Sequence, residues 1–285
     1  MSKIKDIEQK QIGLQAIVDL TGIFEGVASM KISKIKNQVL QATEFFEDLW
    51  GIYTQLRVDG LFRFGRSQNK VEVIQKELFI VITAEGGFSG DIDQKLITLM
   101  LSKYDKEKNE IIVIGHHGAV QLAQRGIAFK KYFKLPDNDQ NINVGPIIKE
   151  VQKYKDTSVF YQQYVSLMVQ DVRRIKLSKA VTDQGSKSDK PDNIISEANY
   201  IFEPSIYAVV DHLERSMLYI ALSQLILDSK LAQHASRFRA MSASHQMADE
   251  SLGDVTLSLN RAKRAVKDER LKEMINGIRM REVEA

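Results

Sequence analysis

The chain has 285 residues, 44% hydrophobic and 27% charged, with 40 basic against 37 acidic residues and a net charge of +3. That length exceeds a usual single domain of about 100–200 residues, the composition excludes wholesale disorder, and the balanced charge argues against a nucleic-acid partner. The absence of cysteine excludes disulfides, thiolate zinc sites and a cysteine nucleophile together.

The opening Met1-Ser2-Lys3-Ile4-Lys5-Asp6 lacks the apolar core of a secretory signal and the Arg/Ser-rich character of a transit peptide, which predicts no export. Prolines occur only at Pro136, Pro146, Pro191 and Pro204, so both ends of the chain are free of this helix breaker. Alternating steps of three and four give Ile4, Ile7, Gln11, Leu14, Val18, Thr21, Glu25, Ala28, Ile32, Ile35, Val39, Ala42, Phe46, Leu49, Tyr53 and Leu56. The polar members are few, and the pattern predicts a coiled-coil helix over 1–60.

The middle of the chain changes period. Leu78–Thr83 and Ile111–Gly115 are short β-branched runs of the kind buried in parallel sheets, each followed by a helical pattern, over Asp91–Ser102 and Ala119–Gln124. Ser158–Val165 and Met168–Lys176 add two strands, so 75–178 is predicted to be a small α/β domain. Residues 179–203 are expected to form a loop and a return strand, with a mobile, turn-rich stretch from Thr182 to Asn193.

From Pro204 onward the three-and-four stepping resumes at Ile206, Val210, Leu213, Met217, Ile220, Gln224, Leu227, Leu231, His234, Phe238, Met241, His245, Ala248, Leu252, Val255, Leu259, Ala262 and Val266. A helix filling most of 204–285 would be about 110 Å long, more than a globular core needs. Two seams at opposite ends of one chain are most simply satisfied by each other, as a long antiparallel coiled coil of N- and C-terminal helices with a central Rossmann-like α/β domain between them. The richest apolar stretch, Leu218–Leu227, is interrupted by Ser223 and Gln224, which predicts no membrane insertion.

Candidate chemistry is sparse. Gly86-Gly87-Phe88-Ser89-Gly90 sits between a strand and a helix, where glycines can bring amides to a phosphate, but it matches neither dinucleotide nor P-loop spacing and Asp91 stands where a lysine is needed. A plain tight turn is the better reading. His116 and His117 are adjacent and leave a strand end in different directions, without a carboxylate cluster to complete a metal set. His234 and His245 fall on the C-terminal seam, where polar residues fix register. From residues alone, two functions stay open: a nucleotide-dependent α/β enzyme with helical arms, and a coiled-coil scaffold.

The specific motifs favour a third. Tyr200-Ile201-Phe202-Glu203-Pro204 resembles the aromatic-Glu-Pro approach to the long helix in the gamma subunits of F-type ATP synthases, and Arg237-Phe238-Arg239-Ala240-Met241 is similar to their Arg-Met-x-Ala-Met stretch. Asn260-Arg261-Ala262-Lys263-Arg264 and Glu273-Met274-Ile275-Asn276-Gly277 resemble the family's Asn-(Lys/Arg)-Ala-Arg-Gln and Glu-Ile-Val-x-Gly, in the same order. Leu20-Thr21, Glu25, Val27-Ala28 and Lys31 agree with the N-terminal arm, and Thr83–Asp93 is similar to the family's Thr-Ser-Asp-Arg-Gly-Leu-Cys-Gly-Gly-Leu-Asn. One departure stands out: Lys267-Asp268-Glu269-Arg270 replaces Ile-Thr-x-Glu and reverses the last charge.

The resemblance implies a rotating central shaft that couples ion flow to ATP synthesis or hydrolysis without catalytic residues, cofactor or metal of its own. It places Lys263, Arg264, Asp268 and Arg270 against a catalytic subunit, Leu271, Met274, Ile275 and Ile278 at a bearing tip, and Tyr200, Phe202 and Glu203 near a membrane rotor ring. Implied partners are the catalytic and non-catalytic head subunits, which hold ATP and magnesium, an epsilon-type stalk subunit and the rotor ring. The implied location is the cytoplasmic face of a bacterial or archaeal plasma membrane, peripheral and within a complex.

Overall fold

The computed structural model describes residues 2–55, 73–135, 142–185, 203 and 205–283. It has two compact units, one made of 1–27 with 238–285 and the other of 28–237. Two continuous helices begin in one unit and end in the other: α1, Ser2–Gln55, and the last helix, Ile206–Val283.

In the larger unit five strands form one sheet: β1 (Ile74–Ile82), β2 (Asn109–Ile114), β3 (Lys131–Phe133), β4 (Tyr154–Tyr164) and β5 (Gln170–Lys176). Their order is β3-β2-β1-β4-β5. β1 runs parallel to both β2 and β4, and β2 is parallel to β3. β5 returns antiparallel to β4. This is the order of a doubly wound Rossmann-like sheet, with the chain reversing direction of build between β1 and β4. The connecting helices are α2 (Ile92–Leu101), α3 (His116–Gln124), α4 (Gly145–Val151) and α5 (Leu177–Gly185), and the C-terminal helix is α6.

Alternation along the strands divides the core into two layers. Leu78, Ile80, Ile82, Ile112, Ile114 and Val159 face α6, α4, α5 and the second half of α1. Phe79, Val81, Ile111, Val113 and Phe160 face α2 and α3, where Leu96, Ile97, Met100 and Leu122 close the other side. Burial on both faces is why these strands read as unbroken apolar runs. Each buried Leu, Ile or Phe adds about 1.5–3 kcal/mol relative to exposure. Within this unit α6 is enclosed almost all round from Met217 to Ser236, and the polar contacts Tyr53 to Glu214 (3.2 Å) and Gln224 to Thr43 (3.1 Å) run antiparallel along α1 and α6.

Every described seam position is buried or half-buried, on α1 from Ile4 to Tyr53 and on α6 from Ile206 to Val266; Leu56 lies outside the described residues. The structure departs from the sequence reading in four places. α3 starts at His116 rather than Ala119, because Gly115 turns the chain immediately after β2. β3 and α4 carry too little periodic pattern to be foreseen. α5 is helical to Gly185 where a loop was expected from Thr182, since Leu177, Ala180 and Val181 share one buried face; residues 186–193 of that expected loop lie outside the described residues. Finally, among the described residues α1, not Leu218–Leu227, is the most membrane-like segment. By length and composition it is apolar enough to cross a membrane, with an 18-residue window of mean hydropathy 1.3. The reason is a second apolar stripe on the face away from the seam: Ile12, Leu20, Ile23, Val27 and Met30 are all exposed.

Candidate functional site

Three features could act on other molecules. The first is the edge of the sheet where β1 and β4 end, the switch point at which folds of this order usually bind a ligand. Here the crevice is filled by the chain's own side chains. Asp93, in the first turn of α2, is buried and accepts from the Ala84 amide (3.2 Å) and from Gln162 Nε2 (2.7 Å), with His117 Nδ1 at 3.1 Å. Burial pushes its carboxyl above the usual range, against the Ala84 and His117 hydrogen bonds that favour the charge. Gln162 Oε1 accepts from Ser229 Oγ and, at 3.3 Å, from Gln233 Nε2, both on α6. Next to them Ser236 Oγ donates to the Ser89 carbonyl (2.7 Å), while Arg237 donates to the carbonyls of Gly87 (3.0 Å) and Gly86 (3.3 Å). Burial lowers the Arg237 pKa and the nearby Asp93 charge opposes that shift.

The glycine turn therefore points its carbonyls at α6. With Asp91 and Asp93 at the start of α2, the helix dipole is already met by carboxylates where a phosphate would otherwise sit. His116 and His117 separate as expected: the His116 amide donates to Glu85 (3.1 Å), and the His117 ring reaches Asp93. Among the described residues no cluster of three or more His, Asp or Glu side chains could hold a metal.

The second feature is the helix pair of the smaller unit. Gln11 donates to Thr256 (2.9 Å), Glu8 pairs with Lys263 (2.9 Å), and His245 Nδ1 lies 3.0 Å from the Val18 carbonyl. A carbonyl only accepts, so that nitrogen carries the proton. Thr21 Oγ1 is 3.2 Å from the same nitrogen and donates to Ile17 O. The ring packs over Gly22, where a Cβ would lie 3.5 Å from it, an ordinary van der Waals distance. As α1 numbers rise the α6 numbers fall, which fixes antiparallel pairing, and His245 takes the register role read for it. His234 lies 3.0 Å from Arg237 Nη1, beside the turn.

The third feature is the end of α6. Beyond Val266 every described position through Ile278 is exposed. Leu271, Met274, Ile275 and Ile278 are 51%, 59%, 51% and 60% exposed and fall at i, i+3, i+4 and i+7, on one face. Arg264, Asp268 and Arg270 are exposed as well, whereas Lys263 is shared with Glu8. Glu203 is exposed; Tyr200 and Phe202 lie outside the described residues.

Sequence reasoning did not assign a role to Asp93, Gln162, Ser236 or Arg237. The legible signal was Ser229, Gln233 and Ser236, polar residues at helical spacing inside the most apolar part of α6.

A family model described as ATP synthase matches residues 3–279. The ATP synthase gamma chain of Lachnoclostridium phytofermentans is 23% identical over 292 residues, covering 97% of this chain and 98% of that one. A chain of the Euglena gracilis mitochondrial ATP synthase rotor, rotational state 1, superimposes with a TM-score of 0.60 at 13% identity, covering 92% of this chain and 99% of that one. A chain of the Tetrahymena thermophila mitochondrial ATP synthase central stalk and c-ring gives 0.57 at 14% identity, covering 79% and 98%. At those identities the two structures speak for the fold.

Proposed function

The chain belongs to the ATP synthase gamma-subunit family, the central rotor shaft of the F-type enzyme, and from that membership we propose how its residues serve rotation. The observation that carries the reading is the exposed apolar face at Leu271, Met274, Ile275 and Ile278, on a helix whose preceding turns are paired. Water-exposed apolar surface of this kind marks a contact, and a smooth apolar tip suits a bearing, where few directional bonds must break at each step. The exposed stripe of α1 at Ile12, Leu20, Ile23, Val27 and Met30 supports the same reading: the helix pair works inside an apolar enclosure made by the head subunits.

Arg264, Asp268 and Arg270 are the charged contacts to a catalytic subunit, with Lys263 contributing in part because Glu8 holds it. Tyr200, Phe202 and Glu203, before α6 begins, face the membrane rotor ring and an epsilon-type subunit. ATP and magnesium belong to the head, and the complex is peripheral on the cytoplasmic face of a bacterial or archaeal plasma membrane. A helix pair that is not symmetric about its axis offers a different face to each catalytic subunit, so turning it shifts the open and closed populations of those subunits in sequence.

The test is purification of the full chain under native conditions from cells that make it, with the co-purifying chains sequenced. The reading expects stoichiometric head subunits with P-loop motifs; recovery of the chain alone or as a self-associated species rejects it.

A further inference from the structure

The contact between the glycine turn and α6 is more elaborate than packing needs. Ser229, Gln233, Ser236 and Arg237 fall at i, i+4, i+7 and i+8, one face of α6, and all four reach the sheet edge where β1 and β4 end. Asp93, Gln162, Ser89, Ser229, Gln233 and Ser236 are each 3% exposed or less. Buried, partnered polar groups of this kind add little net stability over apolar residues of the same shape; what they add is a unique arrangement.

The turn itself is held against a local preference. Phe88 has φ +66°, a left-handed conformation unfavourable for a residue with a Cβ, and the residue is 62% exposed. The return is in the direction of the carbonyls of Gly86, Gly87 and Ser89, all three of which accept from α6.

Apolar packing between α6 and the sheet opposes their separation but is non-directional, so by itself it resists rotation of the helix about its own axis only through side-chain shape. Hydrogen bonds weaken steeply when misaligned, and four residues bonded along two turns of one face fix the azimuth of the helix. Resting on the gamma-subunit reading, we propose that this latch, with Arg237 and Ser236 as its positioning residues, passes torque between the sheet unit and α6 without slip. The latch stays closed throughout the cycle.

The experiment uses the assembled complex in sealed vesicles and measures ATP hydrolysis and ATP-driven ion pumping on the same preparation. The variants are Arg237→Met with Ser236→Ala, Arg237→Lys, and the pair Gly90→Cys with Ser236→Cys. The double variant removes the three hydrogen bonds from Ser236 and Arg237 to the turn and should lower ions pumped per ATP by at least about fivefold, the factor that one bond of net 1 kcal/mol gives. Arg237→Lys keeps the charge but not the fork and should fall between the double variant and the unmodified chain. A Cβ at Gly90 would lie 3.6 Å from Ser236 Oγ, within disulfide reach, and the chain has no other cysteine; because φ at Gly90 is +67°, the added side chain strains the turn, and the reduced form of the same pair is the control for that strain. The oxidised pair should keep the unmodified pumping ratio. A merely structural role would lower hydrolysis, pumping and assembly in parallel and leave the ratio unchanged, which overturns the proposal; so does loss of pumping when the turn is locked by the disulfide. If the unmodified chain assembles and pumps while the variants keep its ratio, the latch fails and the gamma reading stands; if the unmodified chain does not assemble with head subunits, the gamma reading itself fails.

Discussion

Replacing Asp228 by Asn should stabilise the sheet unit near neutral pH. Asp228 sits on α6 within that unit and accepts the Tyr164 amide at 3.3 Å. Burial pushes its pKa up from 3.8 to about 6, and the Tyr164 hydrogen bond opposes the shift only in part. An acid whose folded pKa is raised holds its proton longer when folded than when unfolded. Its contribution is therefore fully present below about pH 4 and is lost as pH rises from 3.8 through 6. Two pKa units at 1.36 kcal/mol each set a ceiling of about 3 kcal/mol. The side chain is half-buried rather than sealed off, and water screening brings the expected effect to about 1–2 kcal/mol. The Asn side-chain oxygen can still accept from Tyr164, so the substitution removes the charge and leaves the bond. Urea denaturation of the full-length chain and of Asp228→Asn at pH 4.5 and pH 7.5 measures the difference. The variant should gain about 1–2 kcal/mol on the unmodified chain between those two pH values. An equal gap at both pH values would falsify the linkage argument.

Gly115→Ala should be strongly destabilising, by more than about 3 kcal/mol, because the position has φ +98° and a Cβ there would lie 2.1 Å from the Thr83 carbonyl oxygen; thermal denaturation reads it, and a loss under 1 kcal/mol would contradict the described turn. Leu96→Ala removes a fully buried side chain between α2 and the sheet and should lower stability by about 2–5 kcal/mol in the same assay. Glu8→Gln breaks an ion pair whose side chains are 40–49% exposed, so the change should stay below about 1 kcal/mol and vanish in high salt. Arg270→Glu leaves the isolated chain unchanged but should weaken assembly or ion pumping by the reconstituted complex; equal assembly and equal pumping remove Arg270 from the contact surface.

Periodicity carried most of the fold. The two seams could be read because a helix that must face one partner over its length repeats every three or four residues, and every described seam position is at least half-buried. β1 and β2 were legible for the opposite reason: strands covered on both faces need apolar residues at every position. β3, at three residues, and α4, at seven, are too short for any period to register. The second apolar stripe of α1 was visible in principle, but it is spread among glycine, alanine and threonine and never forms a run.

The latch could not be read. Asp93 and Gln162 are separated by 69 residues and Arg237 from the glycine turn by 150, and no local pattern encodes a hydrogen bond between segments that meet only when β1, β4 and α6 converge. By itself the sequence determined which faces must be buried, and hence the helix pair and the two-sided sheet, because burial follows from side-chain chemistry at fixed spacing. Only the tertiary structure decided which polar groups meet at the sheet edge, because directional bonds depend on positions in space that sequence separation does not constrain.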